Sequence, residues 1–420
     1  MKKYNIIYIS YDGMTDPLGQ SQVLPYLKGL SAFNFAIDLI SFEKENRFIE
    51  KKSIIENYIK GSNIHWHPLK YHQKPSVFST LYDIWLMNKE VKRIVKQRDV
   101  SLIHCRSYIS SLVGLGFKLK YKIPFIFDMR GFWADERVDG KIWDLRNPLF
   151  KGIYNYFKRK EKQFIVHSDY IISLTHNAKN EILSWKFEHL FTPKIQVIPC
   201  CADFNHFNTE NINTEKLNQY REKLGLSLND FVISYIGSLG TWYMIDEMME
   251  FYSIANKKIK DCKFLILTTD NPEIAYKAAQ KFNIDKNSII LKKADRNDMP
   301  YYIALSSFSM FFIKPAFSKK ASSPTKLAEI LGMGIPVICN AYVGDVEEII
   351  TKNKVGFAIR DFSSNAYREA IDNMLSFLPA PKNKIIEAAH HYASLNDGVK
   401  KYYEVYAEVL NIRNDDTTHP

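Results

Sequence analysis

The feature that most constrains the fold is a regular alternation of short apolar, β-branched runs with longer amphipathic or charged segments. Each run is four to eight residues long, which is typical of a buried strand, and the intervening segments have the length and composition of helices. The runs occupy residues 4–10, 35–42, 101–104, 123–127, 170–174, 231–236, 263–268, 288–291, 309–313 and 335–338. Because alternating strands and helices build parallel sheets, and 420 residues exceed one ordinary core, we expect an α/β protein with two doubly wound Rossmann-like domains facing a cleft.

Domain boundaries are predicted from changes in composition along the chain. Residues 1–207 should form the first domain, and the polar, charged stretch 208–229 is predicted to be a linker. Residues 230–395 should form the second domain. Residues 396–420 contain an amphipathic helix and a polar tail that we expect to be frayed.

Composition excludes several classes of protein. No run of about 18 apolar residues predicts a membrane-spanning helix, and the N-terminal apolar run is too short and too interrupted for a signal peptide. The chain has five cysteines, an odd number without paired metal-binding spacing. We therefore expect reduced thiols, a cytoplasmic location and no metal site.

The excess positive charge is confined to the first half of the chain. Residues 1–205 hold 31 Lys and Arg against 20 Asp and Glu, whereas residues 206–420 hold 26 of each, so the whole net charge of +11 belongs to the first half. Such an imbalance predicts an anionic partner there, either nucleic acid or the anionic inner leaflet of a membrane. Because no base-reading motif accompanies the basic residues, we expect no nucleic-acid partner.

One stretch, residues 322–338, combines the groups that a nucleotide sugar requires. Ser322, Ser323 and Thr325 surround a proline and predict a capped helix start, where backbone N–H groups favour a phosphate. Lys326 adds a cation at this helix end, and Glu329 places a carboxylate one turn further on. A cation for phosphate and an acid for sugar hydroxyls together indicate a nucleotide-sugar clamp.

Polar side chains also follow several other predicted strands, at the edge of a sheet where ligands collect in open α/β folds. Residues 11–22 form a glycine-containing loop that leads into a helix. Residues 105–108 are predicted to be a loop after a strand, and residues 128–139 carry two Arg, three Asp, a Glu and a Trp. Residues 237–243 follow the first strand of the second domain.

Residues 322–338 resemble the donor-binding segment of retaining family 4 (group 1) glycosyltransferases, which have the GT-B fold. The resemblance implies that Glu329 is the second acid of a Glu-x7-Glu motif and holds the ribose hydroxyls, with Ala321 in place of the first acid. It places Gly19 and Gln20 beside the donor diphosphate, and Asp128-Met129 where many members have a His-Asp pair. It also implies that the final helix crosses back to the first domain.

The same resemblance, combined with the residue patterns, gives the predicted sites. The Arg and Lys that members usually carry in the loop after the first strand of the second domain are missing, so the amides of residues 237–241 and Lys326 should hold the diphosphate instead. The loop at residues 294–299 is where members read the nucleobase. The predicted catalytic residues are Asp128, Arg130 and Lys326; the donor-binding residues are Gly19, Gln20, Gly237, Ser238, Ser322, Ser323, Thr325 and Glu329; the acceptor or sugar contacts are Arg106, Trp133, Asp135, Gly344 and Asp345.

The expected function is therefore transfer of a sugar, with retention, from a UDP- or GDP-linked donor to a glycan acceptor. The reaction should need no cofactor and no metal. The acceptor should be a polyprenyl-phosphate or other lipid-linked glycan of a bacterial lipopolysaccharide or capsule, met by a protein that is peripheral on the inner face of the membrane. Two alternatives remain open: a non-hydrolysing nucleotide-sugar 2-epimerase, and a non-catalytic binding module that supports a partner transferase.

Overall fold

The computed structural model describes residues 3–187 and 191–412. Contacts within the chain divide it into two compact units: Met1–Pro199 together with Leu395–Pro420, and Cys200–Ser394. The predicted linker at 208–229 lies inside the second unit and contains a helix, Thr214–Lys223, whose first turn is capped by the side chain of Asn213. The tail beyond residue 412 lies outside the described residues.

Both units contain one sheet of parallel strands. The strands are β1 Tyr4–Ser10, β2 Phe35–Glu43, β3 Ile64–Lys70, β4 Leu102–Arg106, β5 Phe125–Asp128, β6 Tyr170–Ser173, β7 Ile195–Val197, β8 Phe231–Ile236, β9 Cys262–Leu267, β10 Ile289–Lys292, β11 Phe308–Phe311, β12 Val337–Asn340 and β13 Gly356–Ile359. The first sheet has the order β3-β2-β1-β4-β5-β6-β7, and the second has β10-β9-β8-β11-β12-β13. The strand order reverses beside β1 in the first sheet and beside β8 in the second, and such switch points are where open α/β sheets bind ligands.

Helices connect the strands. They are α1 Pro17–Gln22, α2 Leu24–Ser31, α3 Glu45–Ile59, α4 Ser76–Gln97, α5 Ser107–Tyr121, α6 Trp133–Asp139, α7 Pro148–His167, α8 His176–Ser184, α9 Thr214–Lys223, α10 Ile245–Lys258, α11 Pro272–Lys281, α12 Met299–Ala304, α13 Thr325–Gly332, α14 Val346–Asn353, α15 Ser364–Ser376, α16 Lys382–Ala393 and α17 Leu395–Leu410. Within the described part of the chain, no helix is both long enough and apolar enough to cross a membrane.

The core of each unit is the sheet itself, because its strands are apolar on both faces. In β2 every residue is buried, and Ile37 pairs in register with Ile6 of β1. All five cysteines are buried, and no disulfide joins any of them in the described part of the chain. These two parallel sheets with interspersed helices make the chain an α/β protein of two Rossmann-like domains, as the alternation of strands and helices predicts.

The last helix belongs to the first unit. α17 packs on α2, where a side chain at Gly29 would come within 2.7 Å of Val399. Its inner face presents Tyr402 and Tyr406, both buried, to the first sheet.

The predicted loop at residues 105–108 is wrong. Cys105 and Arg106 continue β4, because Arg106 pairs in register with Asp128 of β5, and α5 begins directly at Ser107.

Candidate functional site

In the second unit, the loop after β8 lies at the switch point of the sheet. The amide of Gly237 donates to the carbonyl of Leu267 (3.0 Å), and the amide of Leu239 donates to the Asp270 carboxylate (2.7 Å). Tyr243 then pairs with Ile313, beyond the end of β11. Since Gly237 and Leu239 already have acceptors, the predicted cradle of amides over residues 237–241 cannot use these two.

Lys326, at the start of α13, carries its ammonium into this switch point. The residue is only 9% exposed, and its Nζ meets no hydrogen-bond acceptor among the described residues. The nitrogen lies 3.8 Å from the ring centroid of Tyr243 and 4.7 Å from that of Tyr235. Burial lowers the pKa of Lys326 to about 7, against the opposing charge of Glu329. A buried cation that packs on aromatic faces and has no hydrogen-bond acceptor among the described residues is arranged to accept an anion.

Gly237 makes room for this ammonium. A Cβ at this position would lie 2.5 Å from the Lys326 Nζ, and the backbone has φ of +141°, a conformation that favours glycine. The hydroxyl of the neighbouring Tyr235 donates to the carbonyl of Ser238, which fixes the loop beside the lysine. Lys326, Gly237 and Ser238 therefore lie close together at the switch point.

Glu329 lies one turn further along α13 and is also buried. Its Oε1 accepts from Arg296 Nη1 at 3.2 Å, and burial raises the carboxyl pKa although Arg296 and Lys326 lower it in part. Arg296 lies in the loop after β10, within residues 294–299, and its guanidinium covers the ring of Phe207 at 5.4 Å. No local pattern singles out Arg296 within that loop, because its pairing with Glu329 joins residues 33 positions apart.

The hydroxyl residues before α13 have separate places. Ser323 Oγ accepts from the Cys200 amide (3.1 Å) and shares a hydrogen bond with the Tyr392 hydroxyl (3.1 Å), so it braces the helix start. The amide of Ser322 donates to the carbonyl of Lys319 (3.0 Å). Thr325 is the first residue of α13 and remains partly exposed.

The turn that contains Gly344 and Asp345 lies next to the start of α13. The amide of Gly344 donates to the same carbonyl of Lys319 (2.8 Å), and Asp345 is buried at the start of α14. The Lys319 ammonium in turn lies 3.6 Å from the ring centroid of Trp242, in the loop after β8. The loops after β8, β11 and β12 are thus tied together around the beginning of α13.

In the first unit, charged residues collect at the ends of β1, β4 and β5. Arg106, at the end of β4, is buried, and its Nε lies 3.3 Å from the Asp12 carboxylate in the loop after β1. Its Nη1 meets no hydrogen-bond acceptor among the described residues. Arg106 therefore presents a buried positive charge at the switch point of this sheet.

Asp128, at the end of β5, lies in a buried polar cluster that also includes His104, Arg130, Tyr402 and Tyr406. Its Oδ2 accepts from the Tyr402 hydroxyl (3.1 Å) and lies 3.5 Å from His104 Nε2, while its Oδ1 lies 3.8 Å from Arg130 Nη1. Burial alone would raise the pKa of Asp128, but Arg130 and His104 bring it below the ordinary value. His104 Nδ1 bonds to the Tyr406 hydroxyl (2.8 Å), and burial lowers the pKa of this imidazole. Asp128 is thus held as a carboxylate beside a neutral imidazole.

Trp133 and Asp135 form part of a different cluster. Both oxygens of Asp135 are used, one by the Tyr154 hydroxyl and one by the Lys158 ammonium, each at 2.8 Å. The ring of Trp133 stacks on Tyr108 with centroids 5.8 Å apart. These contacts show both residues joining α6 to its neighbours, so the structure gives them a packing role beside the predicted contact with sugar.

Gly19 and Gln20 lie in α1, and a buried acid that sequence reasoning missed holds the loop before them. Glu43 accepts from the amides of Met14 (2.7 Å) and Thr15 (3.0 Å), and also from the Ser41 hydroxyl (2.6 Å). A Cβ at Gly19 would lie 2.2 Å from the carbonyl oxygen of Gly13, so the close approach requires glycine. A lone acid at the end of an apolar strand gives no sequence signal for this role.

The two groups of residues have different chemistry. The second unit offers a buried cation, a buried carboxylate paired with an arginine, and a helix N-terminus, which together suit a diphosphate and a ribose. The first unit offers a buried carboxylate, a neutral imidazole and two arginines at a strand edge. Among residues 3–187 and 191–412, no group of three or more His, Cys, Asp or Glu side chains could hold a metal ion.

Comparison with known proteins identifies the family and the fold. The model of "Glycosyltransferase Family 4" matches residues 22–206, and that of "Glycosyl transferases group 1" matches residues 217–391. No curated protein matches the chain significantly in sequence.

Solved structures resemble the chain over nearly its whole length. Sucrose-phosphate synthase from Thermosynechococcus elongatus is 13% identical with a TM-score of 0.72, covering 98% of this chain and 100% of that one. WaaG, a glycosyltransferase involved in lipopolysaccharide biosynthesis, is 14% identical with a TM-score of 0.66, covering 96% and 99%. UDP-GlcNAc 2-epimerase from Neisseria meningitidis is 12% identical with a TM-score of 0.61, covering 97% and 100%. Since the two family models between them match most of both units, the chain belongs to the group 1 glycosyltransferases of family 4 and has the GT-B fold.

Proposed function

We propose that this glycosyltransferase moves a sugar, with retention of configuration, from a UDP- or GDP-linked donor to a lipid-linked glycan of a bacterial surface polysaccharide. Binding of the nucleotide-sugar donor is supported by the Lys326 ammonium, which is buried and has no hydrogen-bond acceptor among the described residues. A diphosphate would supply the missing negative charge.

In the proposed reaction, the second unit stabilises the leaving nucleoside diphosphate. Lys326 has a pKa of about 7 without a ligand, and a bound diphosphate would raise it and keep the ammonium charged. The N-terminus of α13 adds the partial positive charge of the helix dipole. Glu329 would hold the ribose hydroxyls while Arg296 keeps the acid oriented. Lys326 would neutralise charge on the leaving diphosphate, as a bound metal ion does in other enzymes. We therefore propose that the transfer needs neither a metal nor a cofactor.

The first unit would receive the acceptor. Asp128, fixed by Tyr402 and Arg130, would orient an acceptor hydroxyl, and Arg106 would meet an acceptor phosphate. In the proposed front-face transfer, an oxygen of the donor phosphate takes the acceptor proton, so no carboxylate nucleophile is required. The excess charge of +11 in the first half of the sequence supports an anionic acceptor on the inner face of the membrane, and the resemblance to WaaG supports a surface glycan.

The test is release of nucleoside diphosphate from UDP-, GDP- and ADP-sugars, with and without a bacterial membrane lipid extract. We expect release from one donor, stimulated by the extract and lost in Glu329→Ala and Lys326→Met. Lys277→Met is the matched control, because it removes the same charge from an exposed position on α11. Full activity in Lys326→Met would overturn the proposed diphosphate site.

The 2-epimerase alternative is supported by the likeness to UDP-GlcNAc 2-epimerase and has a separate readout. An epimerase would change the sugar at C2 without acceptor-dependent release of diphosphate. A third result, thermal stabilisation by a nucleotide without turnover of any donor, would favour the binding module.

A further inference from the structure

The first half of α4 exposes a continuous apolar stripe. Phe78 is 72% exposed, Leu81 58%, Tyr82 47% and Trp85 54%. Their spacing of three, four and seven residues places them on one face of the helix. Large side chains scattered singly over a surface are ordinary, but four adjacent ones on one helix face mark an interaction surface.

Basic residues continue the same face toward the end of the helix. Lys89, Lys92, Arg93 and Lys96 are all exposed and lie on the same helical face as the apolar four, and Arg93 also pairs with Glu90 of the same helix. The Lys89 ammonium lies 5.4 Å from the ring centroid of Trp85, which joins the apolar half of the stripe to its basic half. The face therefore presents aromatic and aliphatic groups followed by positive charge.

The opposite face holds α4 firmly on the first unit. Met87, Val91 and Ile94 are buried, and so is Asp83. The Asp83 carboxylate accepts from the Tyr11 hydroxyl (2.8 Å), and its other oxygen bonds to His72 Nδ1 (2.6 Å). The buried face and the contacts of Asp83 therefore attach α4 to the first unit and leave the stripe on its outer face.

We propose that the exposed stripe of α4, from Phe78 to Lys96, docks on an anionic lipid bilayer. Aromatic and leucine side chains followed by lysines are the pattern of an interfacial helix, in which the apolar groups enter the boundary of the acyl chains and the cations meet lipid phosphates. The charge decides for an anionic lipid surface over a second copy of this chain, since a second stripe would offer the lysines aromatic rings or further cations but no phosphate.

Docking in this way would bring the bilayer to the edge of the first sheet that carries Asp12 and Arg106. Tyr11, which Asp83 holds, directly follows β1 and begins the loop that leads to Gly19. This second step rests on the proposed function, because it presents a lipid-linked acceptor to that loop. The docking itself does not depend on it.

The experiment is co-sedimentation of the full chain with vesicles, without any nucleotide sugar. Vesicles of phosphatidylcholine alone are compared with vesicles that contain an equal part of phosphatidylglycerol. We expect binding to the anionic vesicles that weakens as salt rises, and a partition coefficient at least about tenfold lower for Phe78→Ser/Leu81→Ser. Ile49→Ser/Ile54→Ser on α3 is the matched control, since these two side chains are similarly exposed, and it should bind like the wild type.

Each other outcome overturns the proposal. Wild-type protein that binds neither vesicle, or Phe78→Ser/Leu81→Ser protein that binds as well as the wild type, would show that the stripe does not dock on lipid. A dimer in sedimentation velocity that disappears in the same variant would assign the stripe to a second copy. Release of diphosphate from a donor in detergent should be the same in both variants, so a failure of the transferase proposal remains separate from a failure of docking.

Discussion

At the scale of single residues, Lys326 combines two properties that seldom occur together. Its ammonium is buried, and it is held by the faces of Tyr235 and Tyr243 in place of a carboxylate. Charge on a buried ammonium opposes folding, because desolvation is only partly offset by contacts with aromatic rings. Such an arrangement is expected where a residue serves ligand binding and does not stabilise the fold.

Replacing this lysine should therefore stabilise the protein. The folded pKa of Lys326 is about 7, below the ordinary lysine value of 10.5, so between these two values the unfolded chain binds more protons than the folded one. The stability of the wild type should then rise with pH across this range, and the destabilisation should be complete below it. We expect Lys326→Met to raise the free energy of unfolding by about 2 kcal/mol near neutral pH and below, with the difference shrinking toward pH 10.

Chemical denaturation of both proteins across this pH range measures the effect. Lys277→Met, which removes an exposed lysine of α11, should leave the pH dependence unchanged. If Lys326→Met were less stable than the wild type at every pH, the ammonium would be stabilising and our account of its burial would be wrong.

The predictability of site residues depends on how far apart their partners lie in the chain. Lys326 and Glu329 could be chosen from sequence, because one helical turn places them on one short element. The partners of Asp128 could not, since Tyr402 and Tyr406 reach the cluster from positions 274 and 302 residues away from the groups they bond. Trp133 and Asp135 show the converse: their composition suggests a binding loop, but their contacts are with Tyr108, Tyr154 and Lys158.

At the scale of elements, the loop between β1 and α1 depends on one close backbone contact. Gly19 in α1 lies against the carbonyl of Gly13, while Glu43 of β2 holds the amides between them. We expect Gly19→Ala to lower the free energy of unfolding by about 2 kcal/mol, because the carbonyl at 2.2 Å from the new Cβ must move. Thermal unfolding measures the change, and the loop displacement should also weaken turnover of the donor.

The matched control for this prediction is Gly116→Ala. Gly116 lies in α5, is exposed and has no atom within 4 Å of the position its Cβ would occupy. Alanine there should raise stability by up to about 1 kcal/mol, since it favours the helix over the unfolded chain. Equal stability of Gly19→Ala and the wild type would mean that the loop yields freely and that Glu43 does not fix it.

Elements were predicted well where apolar periodicity is strong, and less well where ends are set by neighbouring strands. The apolar runs at residues 4–10 and 231–236 are the strands β1, Tyr4–Ser10, and β8, Phe231–Ile236. The end of β4 was missed because pairing with β5 carries the strand through Arg106, a polar residue that looks like loop in sequence. The polar composition of residues 208–229 likewise conceals α9, which carries only one buried side chain, Tyr220.

At the scale of the whole molecule, the first unit includes a segment, Leu395–Pro420, that follows the second unit in the sequence. Residues 200–394 make up the second unit, and α17 then supplies Tyr402 and Tyr406 to the sheet of the first. A fragment of residues 1–199 would leave Asp128 and His104 without these hydroxyls and would expose the apolar face of α2. We therefore expect residues 1–199 not to unfold cooperatively, whereas residues 200–394 should fold alone.

The isolated second unit also tests where the nucleotide binds. If Lys326, Gly237 and Glu329 hold the nucleoside diphosphate without Gly19 and Gln20 of the first unit, calorimetry should give residues 200–394 an affinity for it within about tenfold of the whole chain. The same fragment with Lys326→Met should lose most of that affinity, while Lys277→Met should retain it. A fragment that is folded by circular dichroism and does not bind the nucleotide that the whole chain binds would mean that groups of the first unit, such as Arg106, hold the diphosphate.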